Sequence, residues 1–65
     1  IHSIEAEEKI ETVLVYNMKG EEVIRNKPAS TSFEISVSSL PNGQYFYELR
    51  DQKGVLLSRR KLIVQ

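Results

Sequence analysis

Thr31-Ser32-Phe33-Glu34-Ile35-Ser36-Val37 (TSFEISV) sets Phe33, Ile35 and Val37 on one side of an extended chain and Ser32, Glu34 and Ser36 on the other. Alternation with a period of two is the pattern of a half-buried antiparallel strand. The next segment repeats it. After Leu40-Pro41-Asn42-Gly43, the residues Tyr45, Tyr47 and Leu49 share one side, while Gln44, Phe46, Glu48 and Arg50 share the other. Residues 12–16 (TVLVY) are apolar almost throughout and β-branched at Thr12, Val13 and Val15, which predicts a central strand covered on both faces. Residues 22–25 (EVIR) and 55–64 (VLLSRRKLIV) add two more strands, the second bent or split near Ser58 and Arg59.

Two turns share one design. Asn17-Met18-Lys19-Gly20 and Asp51-Gln52-Lys53-Gly54 each begin with an amide or carboxylate side chain and end on glycine. Asn or Asp closes such a turn through its side chain, and glycine takes the left-handed conformation that follows. Each turn therefore joins two neighbouring antiparallel strands. Residues 4–11, with Glu5, Glu7, Glu8 and Glu11, have no apolar stripe and are expected to be a loop rather than a helix. Six to seven short strands at this spacing predict an all-β fold, a two-sheet antiparallel sandwich formed as one domain over residues 1–65.

A 65-residue chain without cysteine has no disulfide or thiolate-metal staple. Its core and backbone pairing carry the fold, leaving little apolar surface for a pocket and no small-molecule substrate to expect. Nine basic and nine acidic residues balance, against the cationic excess that nucleic-acid binding needs. The charges are nevertheless segregated. Residues 1–22 hold six acids against two lysines, and residues 50–65 hold five bases against Asp51. This division is open to two interpretations: an acidic early strand paired with a basic late one, or a basic docking strip.

No catalytic constellation emerges. His2 is the sole histidine and lies beside the first residue, no cysteine is available, and all three glycines are used in turns. The glutamates of residues 5–11 lack calcium-loop spacing and are expected to be solvated. Neither an enzyme nor a metal or cofactor site is expected. Binding is the open class. Phe46 is either part of a thin core or the start of a small carbohydrate or protein platform. The final stretch Lys61-Leu62-Ile63-Val64-Gln65 either completes a sheet or offers its backbone edge to a partner.

Taken together, residues 13–23 (VLVYNMKGEEV), residues 35–46 (ISVSSLPNGQYF), Gly54 and the closing Arg60-Lys61-Leu62-Ile63-Val64 resemble the C-terminal sorting domain of type IX secretion system cargo proteins from Bacteroidetes. The resemblance spans about residues 10–65. It implies an immunoglobulin-like β-sandwich that acts as a non-catalytic secretion signal. The cargo would pass through the periplasm, cross the outer membrane by the type IX machinery, and end secreted or at the cell surface. In many family members a sortase-like enzyme removes the domain and anchors the cargo.

Carried over by position, Gly43 and Tyr45 match the family's Gly-x-Tyr element and Gly20 its hairpin glycine. Lys61, Leu62, Ile63, Val64 and Gln65 match its closing basic-apolar strand, where recognition by the outer-membrane components is expected. The family's opening Pro-Asn-Pro element is not present, and its first strand is expected to be incomplete, with residues 1–4 as a remnant. An upstream processing site would fall outside this chain. An open strand edge of this kind would favour a homodimer. The competing resemblance is to fibronectin-III-like or immunoglobulin-like adhesion and accessory modules. Residues 40–45 (LPNGQY) are similar to their tyrosine corner, in which a Tyr hydroxyl bonds to upstream backbone.

Overall fold

The computed structural model describes residues 2–65, excepting the side chains of His2 and Glu7. Its six strands follow the chain as β1 (His2–Ile10), β2 (Thr12–Asn17), β3 (Glu22–Asn26), β4 (Ser30–Ile35), β5 (Gly43–Arg50) and β6 (Leu56–Val64). All pairings are antiparallel. One sheet has the order β3-β2-β5-β6, and the other consists of β1 paired with β4.

The core lies between these layers. Val13 and Val15 of β2, Tyr45 and Leu49 of β5, and Leu62 and Val64 of β6 face Ile4 and Ile10 of β1 and Ile35 of β4. Phe33 and Val37 pack at its margin, as the alternation in residues 31–37 predicts. β2 is central to its sheet and covered on both faces: Val13 and Val15 are fully buried, and Leu14, on the opposite face, is only 7% exposed.

The twin turns have the same geometry. The Asn17 Oδ1 accepts the amides of Lys19 and Glu21 at 2.9 and 3.0 Å. The Asp51 Oδ1 accepts those of Lys53 and Val55 at the same two distances, 2.9 and 3.0 Å. Gly20 and Gly54 follow at φ of 84° and 82°, a region where a Cβ is disfavoured. These turns make β2–β3 and β5–β6 hairpins, as expected.

The expected loop over residues 4–11 is corrected by the structure. Residues 2–10 form β1, paired with β4 from His2↔Ile35 to Glu5↔Ser32 and again at Ile10↔Ser30, with the ladder interrupted between Glu5 and Ile10. Ile4 and Ile10 are buried and Ala6 packs against the core. The period of two is masked in the sequence because Ala6 is small and Glu8 takes the next position in the series. At Glu11 the chain changes sheets within one residue, and the Glu11 amide continues the β2–β5 ladder by donating to the Arg50 carbonyl at 2.9 Å.

This crossing also counts against the first of the two interpretations of the charge division, an acidic early strand paired with a basic late one. The acidic β1 bonds to β4, and the basic β6 bonds to β5 in the other sheet. β6 itself is not split. Its irregularity is a register shift opposite Leu49 and Arg50.

Candidate functional site

Among the described residues β6 is an edge strand, hydrogen-bonded to β5 on one side and unpaired within its sheet on the other. Its alternation divides the five residues singled out in the sequence. Leu62 and Val64 point into the core at 3% and 6% exposure. Lys61, Ile63 and Gln65 are exposed, Ile63 by 56%. The other singled-out positions meet the same segment: Gly43 lies opposite Val64 and Tyr45 opposite Leu62. Gly20 sits apart, in the β2–β3 turn.

Pro41 and Tyr45 hold the entry to β5. The Tyr45 hydroxyl donates to the Pro41 carbonyl at 2.6 Å, as the tyrosine-corner resemblance predicts. The bond ties the turn before β5 to the strand that supports the chain's last residues. Buried Tyr45 thus spends its one polar group on a backbone acceptor instead of leaving it unsatisfied.

The outward face of β5 and β6 is joined by ion contacts. Glu48 is 9% exposed, and its carboxylate accepts from Arg50 Nη2 at 3.0 Å and approaches Arg59 Nε at 3.9 Å. The Arg59 guanidinium also stands over the Phe46 ring, 5.0 Å from its centroid, within cation–π range. Phe46 is therefore a half-buried member of the outer face, directly opposite Lys61. The acid at Glu48 is the feature sequence reasoning missed. Its signal was the alternation itself, which places Glu48 on the Phe46 face and opposite Arg59. At the far edge, Arg25 bonds Glu22 at 2.8 Å. That hydrogen bond holds the Glu22 carboxyl below its ordinary range and raises Arg25.

A groove of about 490 Å³ opens between β1 and β6. Ile10, Tyr47, Leu49 and Leu57 line its apolar part, while Glu5 and Glu8 stand on one side and Ser58 and Arg60 on the other. The groove exists because the inward side of β6 changes along its length. Leu62 and Val64 close the sandwich at one end, and the polar Ser58 and Arg60 leave it open at the other.

The described residues thus form a small two-layer antiparallel sandwich whose last strand is basic and lies at a sheet edge. The comparison with protein families goes further: the model for the secretion system C-terminal sorting domain matches residues 1–65. The chain belongs to this family of type IX sorting signals, so its cargo is a secreted or cell-surface protein. No curated protein and no solved structure gives a significant match.

Proposed function

We propose that this domain is a non-catalytic signal that carries its cargo from the periplasm across the outer membrane, and that the machinery recognises the final strand. The observation that carries this reading is the placement of β6. A free backbone edge bearing outward Lys61, Ile63 and Gln65 can both pair with and steer a receptor. Leu62 and Val64 support the strand from the core side. The partners are outer-membrane type IX components and, in a later step, a sortase-like enzyme that removes the domain.

The test separates recognition from folding. Residues 1–65 are fused to a periplasmic reporter in a type IX-competent cell, and the surface-exposed fraction is measured. Lys61→Glu with Ile63→Asp alters only exposed side chains, and export is expected to fall while the circular dichroism of the isolated domain stays native. Export equal to that of the unaltered fusion would defeat the recognition assignment.

A second reading, an adhesion or accessory module, draws on the Tyr45–Pro41 bond that immunoglobulin-like domains share. A fusion that stays periplasmic whatever stands at Lys61 and Ile63 would favour it.

A further inference from the structure

We infer that the groove between β1 and β6 is an acceptor for one strand of a partner protein, an extended segment alternating apolar and acidic residues. The inference deepens the signal reading above and rests on it, since it specifies what the free edge of β6 binds. A strand added there takes its backbone bonds from β6 and extends the four-stranded sheet. Its side chains then alternate between two environments. Every second one turns to the groove, whose apolar floor is Tyr47, Leu49 and Leu57 and whose rims are Glu5 and Glu8 on β1 and Ser58 and Arg60 on β6, and over that floor apolar side chains fit best. The others emerge on the outer face beside Arg59 and Lys61, both exposed, and those are acidic by complementarity. The groove's volume, about 490 Å³, lies within the roughly 300–1,000 Å³ usual for ligand clefts.

A second copy of this strand is a poor occupant. Antiparallel self-pairing of β6 centred on residue 59, 60 or 61 places a cation opposite itself, because Arg59, Arg60 and Lys61 are consecutive. The same run protects the edge from sheet-to-sheet aggregation while leaving it open to an acidic strand.

The test uses the whole chain and two capped heptapeptides, one alternating glutamate with valine and the other lysine with valine. Binding is followed by calorimetry at low and high salt, and its location by amide hydrogen exchange along β6. The glutamate peptide is expected to bind about tenfold more tightly than the lysine peptide at low salt, with the gap narrowing as salt rises. It should slow exchange of β6 amides. Arg59→Gln with Lys61→Glu should abolish the preference.

Ala6→Phe, which fills the groove from β1, should abolish binding with the fold intact. Ser58→Phe fills it from β6 should the first variant not fold. Equal affinity for the two peptides, binding by neither, protection confined to other strands, or a chain already dimeric through β6 would each overturn the inference. Export that depends on Lys61 and Ile63 while neither peptide binds would leave the signal reading standing and remove only the strand acceptor.

Discussion

The Tyr45 hydroxyl separates two contributions that truncation alone would merge. Tyr45→Phe keeps the ring in the core and removes the donor to Pro41, so the carbonyl turns to solvent and the net loss is about 1–1.5 kcal/mol. For a domain of this length that lowers Tm by roughly 4–12 °C in a thermal melt. Tyr45→Ala also empties the ring's site at a cost of about 3–5 kcal/mol, comparable with the whole stability of a small domain. Ala29 presents the opposite case. It sits at φ 48° without being glycine, in the loop between β3 and β4. Left-handed backbone costs a Cβ-bearing residue about 1–2 kcal/mol, and glycine's greater freedom in the unfolded chain returns part of any gain. Ala29→Gly is expected to raise the urea midpoint by an amount equivalent to about 0.5–1 kcal/mol, with the slope of the transition unchanged.

At the scale of elements, the twin turns make a controlled comparison within one molecule. In each, one side-chain oxygen accepts two backbone amides, from Asn17 in the first hairpin and Asp51 in the second. Asp51→Asn preserves the oxygen that the matching turn already uses and should leave the melting curve almost unmoved. Asp51→Ala removes the acceptor and should cost about 1–2 kcal/mol, read by chemical denaturation. These turns were legible in the sequence because Asn or Asp, a fixed gap and glycine constitute a local code. The strands around them were legible by alternation, and β4 in TSFEISV most clearly. β1 was not, because its inward side is marked by only Ile4, Ala6 and Ile10, and its acids look like a solvated loop until β4 is placed beside them. The same limit applied to the site. Position 61–65 and its charge could be read directly, whereas the groove depends on Ser58 and Arg60 standing opposite β1, a relation between strands in different sheets.

The whole molecule is a thin object, 30 × 21 × 15 Å, whose core cluster, among the described residues, is formed between the two layers. A two-stranded sheet such as β1–β4 is marginal by itself in water. Without it, the four-stranded sheet would expose Val13, Val15, Tyr45, Leu49, Leu62 and Val64 on one face. The two layers should therefore melt together, and the most direct probe is Ile35, fully buried on β4. Ile35→Ala costs about 2–5 kcal/mol at a buried site, against a total of roughly 3–10 kcal/mol for a chain of this length. Most of the stability should be lost, and the loss should reach β5 and β6, which carry no part of the altered side chain. The measurement is hydrogen exchange on the variant. Cooperative layers predict that amides in the β5–β6 ladder lose protection by the same free energy as those in β1–β4. If the β5–β6 amides instead retained the protection of the unaltered chain, the four-stranded sheet would be stable alone. β6 would then be displayed without help from β1. If the losses match, β1 is needed to present the very edge that the machinery is proposed to bind.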